Sequence, residues 1–192
     1  MITLICGPMY SGKSTSLFQK MERLLYAKKK VLLIRPKKDV RGYFTHSNGI
    51  EIDNLLENFS ETFEIAYWKK CPQSEKIYSN LEECDAVFVD EYFMIPGISW
   101  LCHQDKFDVY FGGLLASSEC KLFYEAIKIL PYADKIEKLN GVCMDCGSEL
   151  GNYSFADFDK KEEIVVGDSK YKCLCAKCYH KNYLFKKSWK NF

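Results

Sequence analysis

Residues 7–14 read Gly-Pro-Met-Tyr-Ser-Gly-Lys-Ser, a G-x4-G-K-[ST] pattern set between the apolar run Met1–Cys6 and a helical stretch from Ser14 to about Ala27. Few patterns narrow the choice of folds as far. Its glycines let backbone N–H groups wrap around a phosphate, and the amino terminus of the following helix adds partial positive charge. Lys13 reaches the outer phosphates and the Ser14 hydroxyl can ligate Mg²⁺. The whole stretch Gly7, Pro8, Met9, Tyr10, Ser11, Gly12, Lys13 and Ser14 is therefore a candidate site for a nucleoside triphosphate such as ATP.

The flanking pattern gives the fold class. Met1–Cys6 is a short continuous apolar run, as a strand covered on both faces would be. Leu17, Met21, Leu24 and Leu25 recur at helical spacing, and Lys28–Lys30 forms a solvated helix end. Val31–Ile34 is a second strand, closed by Arg35-Pro36. Strand, glycine turn, helix and strand make one right-handed βαβ unit. Residues 39–60 read as irregular. Ala86–Val89 and Val109–Phe111 are further strands, with a helix over Lys121–Leu130. The expected fold is α/β, a P-loop doubly wound, mainly parallel sheet over residues 1–140, with a small domain at 141–192 whose two cysteine pairs, Cys143-x2-Cys146 and Cys175-x2-Cys178, make it zinc-binding.

Composition excludes several other classes. Of the 192 residues 47% are hydrophobic, too many for a disordered chain. Lys and Arg total 27 against 26 Asp and Glu, so a net charge of +1 gives no field to gather a polyanion or an anionic membrane. No apolar run approaches the roughly 20 residues that span a bilayer. Met1–Cys6 lacks the basic flank and cleavage site of a signal peptide.

Two further groups carry chemistry. Asp90 and Glu91 follow the apolar strand 86–89, and ligands of an open parallel sheet bind at the carboxyl ends of its strands. Asp90 can hold Mg²⁺ there. Glu91, pointing elsewhere, can accept a proton from a hydroxyl or water nucleophile. Asp85 reads as a solvated strand start. Among ten cysteines, Cys143-x2-Cys146 and Cys175-x2-Cys178 stand 28 residues apart, the spacing of two knuckles closing a tetrahedral S4 site. Four thiolates leave no open position, so the expected Zn²⁺ is structural. Iron or two disulfides are the alternatives, and Cys173 is a competing ligand. Paired cysteines in such a chain favour metal and a reducing, cytoplasmic compartment.

Taken together, these features resemble the type II thymidine kinases, the zinc-containing P-loop family, over nearly the whole chain. GPMYSGKST (7–15), the Asp-Glu strand end, KKDVRGY (37–43), LPYADKIEKLNGVCMDC (130–146) and VGDSKYKCLCAKCY (166–179) carry the similarity. The resemblance implies ATP-dependent phosphorylation of the thymidine 5′-hydroxyl. It makes Glu91 the catalytic base and Arg41 a stabiliser of the transferring phosphoryl group. The segment between the knuckles becomes a lasso over the nucleoside. There Ile164, Val165, Val166 and Gly167 hold the base through main-chain groups, with Tyr171 nearby. Met9, Leu114 and Phe123 line the thymine pocket, and the assembly is a homotetramer.

Two stretches depart from the family pattern. Tyr92-Phe93-Met94-Ile95 lacks the usual Gln, and Leu114-Leu115-Ala116-Ser117-Ser118 stands where the family has Leu-Asp-Gly-Thr-Phe. A kinase for another deoxynucleoside is therefore one alternative. A nucleotide-gated zinc ribbon on nucleic acid is another, but five lysines against seven acids over residues 141–178 argue against it. A catalytically silent relative that keeps ATP binding is the third.

Overall fold

The structure, a computed structural model, describes residues 1–39, 52–71, 81, 83–156 and 171–189. In chain order its elements are β1 (Ile2–Cys6), α1 (Lys13–Tyr26), β2 (Val31–Pro36), α2 (Ile52–Asn58), β3 (Phe63–Trp68), β4 (Ala86–Asp90), β5 (Asp108–Gly113), α3 (Tyr124–Ile129), β6 (Lys135–Lys138), β7 (Tyr153–Ala156), β8 (Tyr171–Leu174) and α4 (Ala176–Trp189). Short 3-10 turns cover Tyr92–Met94, Ile98–His103 and Leu130–Tyr132.

Six strands form one sheet in the order β3-β2-β4-β5-β1-β6, and every adjacent pair is parallel. Side chains alternate between its faces, and each face has its own cover. Ile5, Val31, Leu33, Ala86 and Phe88 pack with Leu17, Phe18, Met21 and Leu25 of α1. Leu4, Leu32, Ile34, Val87, Val89 and Phe111 pack on the other side with Tyr92, Ile98, Leu101, Ala126 and Ile129. This two-sided burial explains why β1, β2 and β4 read as unbroken apolar runs.

The expected βαβ start and mainly parallel α/β sheet are what the structure has. Three helices and strands within residues 1–140 were not expected, nor were β7, β8 and α4 beyond them. The segment read as irregular contains α2, while β3 and β6 close the two edges of the sheet. The helix expected over Lys121–Leu130 is shorter, Tyr124–Ile129, because residues 115–123 make a turn instead: Phe123 N–H donates to Leu115 O and Ser117 N–H to Lys121 O.

After β6, β7 and β8 form a separate antiparallel pair, with Ser154 opposite Cys173 and Ala156 opposite Tyr171. This pair sits against the phosphate loop, where Met9 N–H donates to Ser154 Oγ at 2.9 Å. α4 reaches back to the 115–123 turn, with Tyr179 donating its hydroxyl proton to Ser118 O at 2.9 Å.

Candidate active site

β1 delivers the chain into the loop at residues 7–12, and α1 begins at Lys13. The two motif glycines are required for different reasons. A Cβ on Gly7 would stand 2.5 Å from Leu139 O and from Ser11 Oγ, so close approach excludes a side chain there. Gly12 has open space around it but a φ of 80°, the left-handed region that glycine adopts without strain. The loop is closed on itself by Ser11 Oγ, which donates to Pro8 O at 2.9 Å, and by Lys13 Nζ, which donates to the same oxygen at 2.6 Å. Lys13 is buried, and that burial pushes its ammonium below the usual lysine range, with Glu91 and then Asp90 pulling it back up. A buried cation facing two carboxylates is poised to exchange its carbonyl partner for a phosphate.

Parallel pairing brings the carboxyl ends of the strands to one level. Cys6 lies opposite Gly113, and the neighbouring Gly112 lies opposite Asp90. Asp90 and the start of α1 therefore meet although β5 separates their strands: Ser14 Oγ donates to Asp90 Oδ1 at 3.3 Å. Cis ligands of an octahedral Mg²⁺ at about 2.1 Å stand about 3 Å apart. Two hard oxygens at this spacing fit one such ion, directly or through water. Glu91, the next residue, has φ 51° and ψ 44°. A non-glycine residue in this region is uncommon and costs energy. Here it turns the chain sharply off the strand into the 3-10 turn, with Met94 N–H donating to Glu91 O at 2.9 Å.

Beside the acids lies an apolar cluster that holds Met9, Leu114 and Phe123 together. Phe93 stacks on Phe123 with ring centroids 4.5 Å apart, and the Tyr92 hydroxyl donates to Leu114 O at 2.8 Å. Tyr171 opens β8. Arg41, Ile164, Val165, Val166 and Gly167 lie outside the described residues, as does half of the segment between the cysteine pairs.

The Sγ atoms of Cys143, Cys146, Cys175 and Cys178 all lie within 4.8 Å of one another. Cys146 and Cys175 are 3.8 Å apart, close to the edge, about 3.8 Å, of a tetrahedron with Zn–S bonds of about 2.3 Å. The donor set fits Zn²⁺. Backbone N–H groups point at the sulfurs as well: although burial pushes the Cys143 thiol up, hydrogen bonds from Cys175, Asp145 and Cys146 bring it down to about 6. Cys173 is outside the cluster. It faces the other way, its Sγ 2.6 Å from where a Cβ would stand on either Gly141 or Gly151. His180 stays with the rings of Tyr153 and Tyr179.

Sequence reasoning missed three residues of this neighbourhood. Tyr92 and Ser154 tie the loop and the apolar cluster in place, and neither belongs to a motif. Arg35 was read as the polar end of an apolar run. It is in fact buried within β2, and its position at the carboxyl end of a buried parallel strand was the available signal.

Comparison with known proteins agrees along most of the chain. The family model described as thymidine kinase matches residues 1–179. The thymidine kinase of rabbit fibroma virus is 33% identical over 182 residues, covering 93% of this chain and 95% of that protein. Thymidine kinase 1 of Dictyostelium discoideum is 30% identical, covering 93% of this chain and 77% of its own. The cytosolic thymidine kinase of Gallus gallus is 27% identical, with 93% and 76% covered.

Proposed function

The chain belongs to the thymidine kinase family, and from that premise we propose how its residues share the transfer of the γ-phosphoryl group of ATP to the 5′-hydroxyl of thymidine. The enzyme is an ATP-dependent phosphotransferase, and the work assigned to each residue is as follows. The backbone N–H groups of residues 7–14 cradle the phosphates, and Lys13 leaves Pro8 O for the outer phosphate oxygens. Ser14 and Asp90 hold the Mg²⁺. When bound, that ion offsets charge on the β- and γ-phosphates. Glu91 takes the proton of the 5′-hydroxyl as its oxygen bonds to the γ-phosphorus, while the bond from that phosphorus to the bridging oxygen breaks and ADP leaves. Arg41 steadies the charge on the transferring group.

Met9, Leu114 and Phe123 contact the base, with Ile164, Val165, Val166, Gly167 and Tyr171 closing over it from the lasso. Closure excludes water, which would otherwise accept the phosphoryl group. Zn²⁺ on the four cysteines anchors both ends of that lasso. A homotetramer in the cytoplasm completes the proposal, in line with the relatives named as cytosolic. Among the described residues no helix is long and apolar enough to cross a membrane.

The observation that carries this reading is the meeting of Ser14 and Asp90 at 3.3 Å beside a loop closed by Lys13. The sequence differences at 92–95 and 115–118 favour one variant of it, a kinase with altered base preference. Phosphate transfer from Mg-ATP to a panel of nucleosides, with the product identified, separates the two. Thymidine 5′-monophosphate as the dominant product is expected. Preference for another deoxynucleoside would establish the variant, and a zinc-loaded, ATP-binding protein that transfers nothing would overturn both.

A further inference from the structure

Arg35 is the largest side chain fully buried in the described residues, at 0% exposure. A guanidinium does not shed its proton in a protein, so a full positive charge sits inside the sheet region. Burying such a charge is costly unless partners surround it. The sheet supplies them. β2 and β4 pair in register from Val31 opposite Ala86 to Ile34 opposite Val89. One step further along both strands come Arg35 and Asp90. By alternation both lie on the face of Leu33 and Phe88, which is the face covered by α1.

The distances follow that register. Arg35 Nε stands 3.8 Å from Asp90 Oδ2, and Arg35 Nη2 donates to Asp39 Oδ2 at 2.7 Å. Asp39 is itself 2% exposed and is folded back by its N–H, which donates to Pro36 O. Asp90 thus has its two oxygens divided between two tasks. Oδ1 meets Ser14 Oγ, and Oδ2 faces the guanidinium. The chain Asp39–Arg35–Asp90–Ser14 runs from the turn after β2 to the first turn of α1.

We propose that Arg35 is a positioning residue, whose guanidinium, anchored by Asp39, holds the Asp90 carboxylate with Oδ1 turned toward Ser14 so that the two oxygens present a preformed site for the divalent cation. The proposal rests on Asp90 as a holder of that cation. A planar guanidinium suits the task because separate nitrogens reach two carboxylates at once, whereas an ammonium is a single point of charge. Such partners behind a metal ligand carry about 10–100-fold of metal affinity.

The test measures Mn²⁺ binding to the ATP complex of the full-length protein by electron paramagnetic resonance, together with the Mg²⁺ concentration giving half-maximal activity. Arg35→Lys keeps the charge and should weaken Mn²⁺ binding about tenfold, with a matching rise in the Mg²⁺ requirement and no change in KM for thymidine. Arg35→Met leaves two buried carboxylates without their cation and is the variant at risk of not folding. Asp39→Asn, which keeps a hydrogen-bond acceptor for Arg35, is the second probe and should act in the same direction. A folded Arg35→Lys protein with wild-type Mn²⁺ affinity and Mg²⁺ requirement overturns the proposal, even if its melting temperature falls. Asp90→Asn is the control for the premise. If it weakens Mn²⁺ binding while Arg35→Lys does not, the positioning role alone fails. If it too leaves Mn²⁺ binding unchanged, the metal-holding role of Asp90 fails with it.

Discussion

The parallel sheet and the cysteine module reach stability by different physics. In β2 and β4 every residue is buried, and two apolar clusters cover the two faces. Among the described residues, the buried cluster of the module consists of Cys143, Phe155, Leu174, Cys175 and Tyr179. Two of those five are thiols of the metal set, and nearby Val142, Met144 and Leu150 are each at least half exposed. Burial among these described residues is small beside that of the sheet. Zn²⁺ held by the module's four sulfurs would supply folding free energy, which in small zinc modules is on the order of 10 kcal/mol. The sheet needs no such support, so the two regions should fail separately.

Zinc removal is therefore the largest expected effect. Chelation, or Cys175→Ser, should release one zinc per chain, as read by atomic emission. It should abolish hydrogen-exchange protection in β7 and β8 while leaving β1 and β4 protected. Loss of activity should accompany it, because Ser154 of β7 is what Met9 N–H of the phosphate loop donates to. Protection of β7 and β8 that survives metal removal would break the contrast between the regions.

The next effect in size is confined to the chemistry at the sheet end. Glu91→Gln should lower kcat by about 10²- to 10⁴-fold, as loss of a general base does, with ATP affinity and melting temperature near wild type. Glutamine keeps the size of the side chain and demands nothing new of the left-handed backbone at this position. Turnover within a few-fold of wild type would remove Glu91 from the role of base.

What could be read from the chain follows the same division. Strands buried on both faces announce themselves as apolar runs, and β1, β2, β4 and β5 did so. The edge strands did not. β6 is Lys-Ile-Glu-Lys, mostly exposed, and β3 alternates irregularly between buried and exposed residues, as edges exposed to solvent do. The phosphate loop, the acid pair and the cysteine pairs were legible because each needs fixed residue types at fixed spacing. Arg35 was not, since its role depends on a register between two strands separated by more than 50 residues in sequence. Tyr92 and Ser154 act through single hydrogen bonds to backbone groups, and no pattern in the chain marks such partners.

The smallest effect probes how little surface charge adds to a region held by burial. Asp85 stands at the start of β4, where its carboxylate accepts from Lys29 Nζ at 2.9 Å and from Lys30 N–H at 2.8 Å. These hydrogen bonds, the one from Lys29 first, hold its carboxyl below the usual aspartate range. A carboxyl depressed in the folded state binds fewer protons there than in the unfolded chain, so stability rises with pH across the gap between the two values. Its contribution is complete above the unfolded value, about 3.9, and disappears as pH falls through the folded one. The side chain is 41% exposed, so solvent screening holds the effect to under about 1 kcal/mol. Asp85→Asn keeps an acceptor for Lys30 N–H and removes only the charge. In urea denaturation the variant should be less stable than wild type by that small amount at pH 7, with the difference fading below pH about 4. A loss of several kcal/mol at pH 7 would mean that the sheet leans on its surface charges, and the contrast with the cysteine module would have to be redrawn.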